Sequence, residues 1–228
     1  MFRKVFAVGF VVLLLAGCQG GGEAGFHNDQ GIQALAQDRY EEARVNFEKA
    51  LELTPEDAVV WGNLGVALTR LERYEDALAA YQKADSIDPG EPVTVAEIAS
   101  IHYRLGHYDE AEAGFRKALS MVKTAPEFRS SLSLALLRQG KAGEAAAEME
   151  KAVDVAKKDW HRHGLVKYQM AASEIIGGHV DRGLDLFAEA LDVYPAGARM
   201  SVSDHDFEPV YENPRYQELA GGWWKRLN

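Results

Sequence analysis

The sequence is poor in cysteine, in positive charge and in long apolar runs, and each shortage excludes a class of protein. Its single cysteine is Cys18, so the chain can form neither a disulfide framework nor a zinc site built on several cysteines. The 35 Asp and Glu residues outnumber the 25 Lys and Arg residues, which gives a formal net charge of -10. Because a duplex nucleic-acid binder needs a clustered basic surface, we expect no nucleic-acid partner.

An uncharged and largely apolar run extends from Val5 to Ala16, directly after Arg3 and Lys4. It is shorter than the roughly 20 apolar residues that a membrane-spanning helix needs. A short basic flank, an apolar stretch and small residues before a cleavage point are typical of a removable export signal.

The segment that ends in Leu15-Ala16-Gly17-Cys18 resembles the signal peptide of bacterial lipoproteins. In that family the chain is cleaved before the cysteine, and lipid is attached to the cysteine. The resemblance implies that residues 1–17 are removed and that a lipidated Cys18 anchors the protein in the cell envelope. An ordinary secretory signal with an incidental cysteine is the alternative.

The residues after Cys18 bear on where the folded part is held. Residues 18–23 include Gly20-Gly21-Gly22, which predicts a short flexible tether. Gln19 stands where an aspartate retains lipoproteins of enteric-type bacteria in the inner membrane. By the same resemblance, we expect the periplasmic face of the outer membrane if the host has two membranes.

A pattern of 34 residues recurs along the rest of the chain, and it should be considered before any other fold. An aromatic residue, two acidic residues and an alanine appear three times at this spacing, as Tyr40-Glu41-Glu42-Ala43, Tyr74-Glu75-Asp76-Ala77 and Tyr108-Asp109-Glu110-Ala111. A fourth copy keeps the frame at Ala145, and a fifth, at Gly183, is delayed by four residues. Apolar residues within each copy follow helical spacing, which predicts pairs of helices that must stack to bury their apolar sides.

The pattern resembles the tetratricopeptide repeat (TPR) family, whose signature is best kept in the second copy, at Trp61, Leu64, Gly65, Tyr74, Ala77, Tyr81, Ala84 and Pro89. The resemblance implies an all-α fold, a right-handed superhelical solenoid of about five helix-turn-helix repeats. The repeats are expected at 24–57, 58–91, 92–125, 126–159 and 164–197. Residues 198–228 are expected to form a C-terminal cap, with a loop that carries Phe207 and a final helix from about Pro214.

Signals of catalysis are weak. The seven histidines lack the spacing of a zinc site, and the glycine clusters lack the lysine of a phosphate-binding loop. We therefore predict no enzymatic activity, no cofactor, no metal and no small-molecule substrate. Trp223-Trp224-Lys225-Arg226 could contact lipid headgroups, but an amphipathic cap helix with one buried tryptophan is the favoured interpretation.

In the TPR family the first helices of successive repeats line a concave groove that receives partner peptides or helices. Arg70, Arg104 and Arg138 recur every 34 residues in this lining. They could hold carboxylates of a partner, because guanidinium groups match carboxylates well, or pair with neighbouring acids. The lining residues that the resemblance implies as the partner-binding groove are Asn63, Val66, Arg70, Glu97, Ser100, Tyr103, Arg104, Ser131, Leu134, Leu137, Arg138, Tyr168, Gln169 and Ile175.

The sequence thus predicts a membrane-anchored adaptor that binds another envelope protein or peptide in this groove. Pilus assembly, cell-wall metabolism and outer-membrane biogenesis are the settings in which similar lipoproteins act. The alternatives are a non-catalytic subunit of an envelope enzyme complex and a purely structural, self-assembling repeat protein. Whether the groove is filled by a partner or by the chain's own C-terminal segment stays open.

Overall fold

The computed structural model describes residues 22–156, 164–202 and 204–221. The predicted signal peptide, Cys18, most of the tether, the junction at 159–163 and Trp223 to Arg226 lie outside these residues. The described part is all-α, without a strand, as predicted. Its helices are α1 (Glu23–Ala36), α2 (Tyr40–Leu53), α3 (Ala58–Arg70), α4 (Tyr74–Ile87), α5 (Pro92–Arg104), α6 (Tyr108–Met121), α7 (Pro126–Arg138), α8 (Ala142–Ala156), α9 (Gly164–Ile176), α10 (Val180–Val193), α11 (Gly197–Met200) and α12 (Pro214–Ala220).

The chain divides into two compact units between Met121 and Val122. The N-terminal unit, described for residues 22–121, contains α1 to α6. The C-terminal unit, described from Val122 onward, contains α7 to α12 and a 3-10 helix, His205–Val210. Within the units, α1 packs on α2, α3 on α4, α5 on α6, α7 on α8 and α9 on α10. These are five helix pairs of the TPR type.

Small residues let the two helices of a pair approach each other. A Cβ atom on Gly65 would lie 2.7 Å from the Tyr81 ring, and one on Gly31 would lie 2.5 Å from the Phe47 ring. The third pair reverses the arrangement, since Ala99 stands where the first two pairs have glycine and Gly114 on α6 faces it. The copies therefore share the close approach of the two helices, although the residues that provide the space differ from one copy to another.

The turn inside each helix pair contains one residue with a positive φ angle, at positions 38, 72, 106, 140 and 178. The spacing is 34 residues for the first four and then lengthens by four, as the sequence pattern does. The first two positions are Asp38 and Glu72, and the later three are glycines. Glycine adopts this conformation at lower cost, so the first two turns are the more strained ones.

The C-terminal unit ends in a cap built on aromatic side chains. Residues 205–210 form a 3-10 helix where the sequence predicted a loop, because the Asp204 side chain accepts a hydrogen bond from the Asp206 backbone N–H at 3.2 Å. Phe207 is completely buried, and its ring lies 4.8 Å from Phe187 and 5.0 Å from Tyr168 between centroids. The predicted final helix is confirmed, since α12 begins at Pro214.

Candidate partner-binding surface

The first helices of the three N-terminal pairs, α1, α3 and α5, form the side that carries seven of the predicted lining residues. We call this side the inner surface of the N-terminal unit, defined by Asn63, Val66, Arg70, Glu97, Ser100, Tyr103 and Arg104. Asn63 is only 5% exposed, and its Nδ2 atom donates a hydrogen bond to Asn28 Oδ1 on α1 at 3.1 Å. This predicted binding residue therefore joins two repeats.

Glu97 is the carboxyl group among the seven residues that define this surface, and its pKa is shifted. The residue is partly exposed, but burial of the carboxyl group raises its pKa to about 7. Arg70 on α3 opposes this rise, and the like charge of Glu91 reinforces it. Glu97 also acts with burial to raise the pKa of Tyr81 on α4. The structure thus brings Arg70 and Glu97, two predicted lining residues, into one electrostatic group.

The other residues of this surface keep part of their area in contact with solvent. Val66, Ser100 and Arg104 are partly exposed, and so is Tyr103, whose ring packs against Tyr108 with 5.5 Å between centroids. The surface therefore offers apolar, polar and charged groups together, as a surface for a peptide or helix would.

The equivalent side of the C-terminal unit is formed by α7 and α9, and we call it the inner surface of that unit. It is defined by Ser131, Leu134, Leu137, Arg138, Tyr168, Gln169 and Ile175. Gln169 donates a hydrogen bond to Ser131 Oγ at 2.8 Å and accepts one from Ser130. These polar residues join α7 to α9, as Asn63 joins α3 to α1.

The apolar members of this second surface are mostly packed away. Tyr168 and Ile175 are each 2% exposed and Leu134 is 5% exposed, while Leu137 remains partly exposed. Tyr168 packs against Phe207 of the cap, so its ring is covered by the chain's own C-terminal segment.

Arg138 holds the same segment by its charge. Its Nε and Nη2 atoms donate hydrogen bonds to Asp206 Oδ1 at 3.1 and 2.5 Å, and Nη2 also donates to the His205 carbonyl oxygen at 3.1 Å. Nearby, the Tyr168 hydroxyl donates to Asp204 Oδ2 at 2.9 Å. Of the two possibilities that the sequence left open for this arginine, a partner's carboxylate or an acid of the chain itself, Arg138 therefore adopts the second.

Two groups of residues with special roles are not singled out by the sequence pattern. Asp204 and Asp206 hold the cap in place, and the available signal was the arginine of the fourth repeat together with the two acids before Phe207. His102 occupies the position that is Leu68 and Leu136 in neighbouring repeats. Its Nδ1 atom is buried and has no hydrogen-bond partner among the described residues.

The described ranges lack two further classes of site. In residues 22–156, 164–202 and 204–221, no group of three or more His, Cys, Asp and Glu side chains is arranged to hold a metal ion. Over the same ranges, no helix combines the length and the apolarity needed to cross a bilayer.

Solved structures with the same fold come from several sources. A thermophilic TPR protein of Thermus thermophilus superposes with a TM-score of 0.64 at 19% identity, covering 75% of this chain and 92% of that one. MamA of Desulfovibrio magneticus gives a TM-score of 0.59 at 15% identity, with 77% and 97% covered. The APC/C hetero-tetramer of Cut9 and Hcn1 contains a chain that gives 0.67 at 16% identity, with 87% of this chain and 38% of that one covered. At these identities the likeness concerns the fold.

The sequence matches a family model, although it has no significant match among curated proteins. The family model described as tetratricopeptide repeat matches residues 28–92 and 97–159, together more than half of the chain. Members of that family are generally non-catalytic scaffolds that bind protein partners. With its helix pairs at the same spacing, this chain belongs to the tetratricopeptide repeat family.

Proposed function

We propose that the protein is a lipid-anchored scaffold of the bacterial cell envelope that binds a segment of another envelope protein. The observation that carries the binding role is the series of five TPR helix pairs. The anchoring role is supported by Leu15-Ala16-Gly17-Cys18 after a short apolar stretch. Assembly of a pilus, of the cell wall or of the outer membrane is the kind of process that such a scaffold serves.

The inner surface of the N-terminal unit is the part that we propose contacts the partner. Val66, Ser100 and Tyr103 on this surface are partly exposed. In the inner surface of the C-terminal unit, by contrast, Arg138 is already paired with Asp206, and Phe207 covers Tyr168. A partner there would have to displace buried aromatic contacts, which costs several kcal/mol per large side chain.

Site-specific photo-crosslinking in the native envelope tests the binding role. A photo-reactive residue at Ser100 is expected to capture one defined envelope protein, and the same residue at Glu150, exposed on α8, is the matched control. Capture from Ser100 alone supports the scaffold. Capture of further copies of this chain would support the self-assembling array instead, and capture of nothing would contradict the proposal.

The anchor is tested separately by the substitution Cys18→Ala. The wild-type protein is expected to sediment with membranes and to incorporate labelled fatty acid, and the variant to do neither. A variant that still incorporates fatty acid and sediments would exclude lipidation of Cys18.

A further inference from the structure

The exposed large apolar side chains of the N-terminal unit are not scattered over its surface. Among the described residues of this unit, 22–121, they are Phe26, Leu53 and Met121, which keep 60%, 49% and 41% of their area exposed. Leu53 and Met121 have the same repeat position, and Ile87, which has that position in the second repeat, is partly exposed. Single exposed apolar residues are common, whereas apolar residues gathered in one place mark an interaction site.

These residues lie at one edge of the unit, where the first helices begin and the second helices end. A turn of three residues joins the two helices of each pair, so the helices of a pair run in opposite directions. Leu53, Ile87 and Met121 are the last residues of α2, α4 and α6, and each therefore lies at the end of its pair where the first helix begins. Phe26 lies in the first turn of α1. We call these four residues the entry edge of the N-terminal unit.

Measured contacts connect the helix ends along this edge. A Cβ atom on Gly90, two residues before α5, would lie 3.9 Å from Cε of Met121, so the end of α6 lies beside the start of the third pair. The Nζ atom of Lys83, near the end of α4, lies 3.1 Å from Oε1 of Glu56 in the loop after α2. The ends of the second helices and the loops between pairs therefore share one edge of the unit.

The predicted anchor joins the unit at the same edge. Cys18 stands five residues before Glu23, at which α1 begins. A fully extended chain covers at most about 3.6 Å per residue, so lipid on Cys18 would hold the start of α1 within about 18 Å of the bilayer surface. A bilayer is therefore a surface that the entry edge reaches.

We propose that the entry edge of the N-terminal unit rests on the lipid bilayer, with Phe26, Leu53 and Met121 in contact with the interfacial region. The membrane contact rests on the proposed lipid anchor at Cys18 and adds the orientation in which the unit is held. Removal of these side chains from water strengthens the attachment. The anchor keeps the edge at a high effective concentration near the bilayer, so a contact too weak to bind alone becomes effective.

The charges of the entry edge indicate the kind of lipid. Asp57 and Glu91 precede α3 and α5, where their side chains accept backbone hydrogen bonds at 3.0 and 2.6 Å. Glu23 and Glu56 are exposed at the same edge. The lysines one helical turn before the apolar residues are fewer than these acids, namely Lys49, Lys83 and Lys117. Because an anionic surface repels carboxylates, zwitterionic lipid suits this edge better than anionic lipid.

The test compares the depth of two labelled positions on vesicles. The full chain, purified with its lipid, is reconstituted into phosphatidylcholine vesicles that contain a nitroxide-labelled phosphatidylcholine. Because lipid on Cys18 occupies its sulfur, a fluorophore can be attached to one new thiol, in Leu53→Cys at the entry edge or in the matched control Glu75→Cys. Glu75 is exposed in the first turn of α4, at the opposite end of the pair from Ile87.

The label at Leu53 is expected to lie deeper than the label at Glu75. The 14 residues of α4 separate the two ends of the unit by about 20 Å. We expect the nitroxide lipid to quench the label at Leu53 about threefold more, because apolar groups at an interface lie about 5–10 Å inside the headgroup boundary. Adding Phe26→Ser and Met121→Ser to Leu53→Cys should reduce this quenching by about half, since fewer apolar groups then hold the edge. Circular dichroism checks that all variants are folded.

Equal quenching at the two positions would overturn the inference, as would stronger quenching at Glu75 or a requirement for anionic phosphatidylglycerol. If the label at Leu53 is shielded from aqueous iodide in native membranes but not on vesicles of pure lipid, a protein covers the edge and the lipid contact is wrong. The mass of the purified chain keeps the anchor separate. Lipid on Cys18 together with equal quenching contradicts the membrane contact alone, whereas a chain without lipid contradicts the anchor and the contact with it.

Discussion

Equivalent repeat positions have different roles in the two units. In the N-terminal unit, the inner surface keeps Val66, Ser100 and Tyr103 partly exposed, and Arg70 acts on Glu97 of the next repeat. In the C-terminal unit, the arginine at the same repeat position binds Asp206 of the cap. A residue that recurs at the same repeat position therefore need not keep one function, because its function depends on what the rest of the chain places beside it.

The largest effect is expected where the cap is anchored. Replacing Phe207 by alanine removes a completely buried ring from between Tyr168 and Phe187 and should destabilise the C-terminal unit by about 3–5 kcal/mol. Phe26→Ala is the matched control, because that side chain is 60% exposed, and it should change stability by less than about 0.5 kcal/mol. Urea unfolding followed by circular dichroism measures both. Similar losses in the two variants would contradict the anchoring role of Phe207.

The next largest effect is a difference in stability between alanine variants of Arg138 and Arg70. Arg138→Ala leaves the buried carboxylate of Asp206 without its cation and should cost about 2–4 kcal/mol. Arg70→Ala should cost less, since Glu97 can take up a proton when its cation is lost. Urea unfolding at pH 7 measures the order of the two losses.

A double variant sharpens this second prediction. Asp206→Asn added to Arg138→Ala removes the unpaired charge and should recover part of the lost stability, which a double-mutant cycle quantifies. No recovery, or a larger loss from Arg70→Ala, would mean that Arg138 stabilises the cap by packing rather than by charge.

A smaller, pH-dependent effect is expected at Glu97. Its pKa in the folded state is about 7 and its ordinary value is 4.5, so between these values the folded state binds more protons than the unfolded state. The contribution of Glu97 to stability is therefore complete below about pH 4.5 and is lost as the pH rises to about 7. Glu97→Gln should flatten this dependence and raise the melting temperature at pH 8, and Glu52→Gln should leave it unchanged. A wild-type stability that follows the same pH dependence as the Glu97→Gln variant across this window would contradict the assignment.

The smallest expected effect concerns one repeat position that is occupied by different residues in the two units. His102 in the N-terminal unit corresponds to Leu136 in the C-terminal unit, which is completely buried. His102→Leu should stabilise the protein by about 1 kcal/mol, because it removes a buried nitrogen that lacks a hydrogen-bond partner among the described residues. Thermal unfolding at pH 7.5 measures the gain.

The gain from His102→Leu should also depend on pH. Burial lowers the pKa of His102, and although Glu110 acts against this, the folded state holds fewer protons on it than the unfolded state. The wild type therefore loses stability as the pH falls through about 6.5, and the leucine variant should gain most below that value. If His102→Leu stabilises the protein neither at pH 7.5 nor below about pH 6.5, the imidazole of His102 has a hydrogen-bond partner in solution, and the prediction is wrong.

The fold could be predicted almost entirely from the sequence, because the same helix-pair pattern recurs several times along the chain. Glycine or alanine at positions such as Gly65, Ala77 and Gly114 left space between paired helices, and the structure fills it with rings such as Tyr81. The cap was predictable in outline, from Phe207 and Pro214, but its 3-10 helix depends on the hydrogen bond that the Asp206 backbone N–H donates to the Asp204 side chain.

The candidate surface was predictable only as a set of positions. The sequence placed Asn63, Ser131 and Gln169 on the lining, but these side chains join repeats to one another through hydrogen bonds. Nothing in the repeat pattern distinguishes Arg70 from Arg138. Which acid an arginine meets depends on distances between residues far apart in the chain, and a local pattern does not contain those distances.

The family, the helix pairs and their spacing follow from the sequence, since helix periodicity and the space between helices are local properties repeated every 34 residues. The pairing of Asp206 with Arg138 and the covering of Tyr168 by Phe207 become visible only once the chain is folded. Burial, with the like charge of Glu91 and against the opposite charge of Arg70, raises the pKa of Glu97 to about 7. Such effects arise because desolvation and charge act through space between groups that packing brings together.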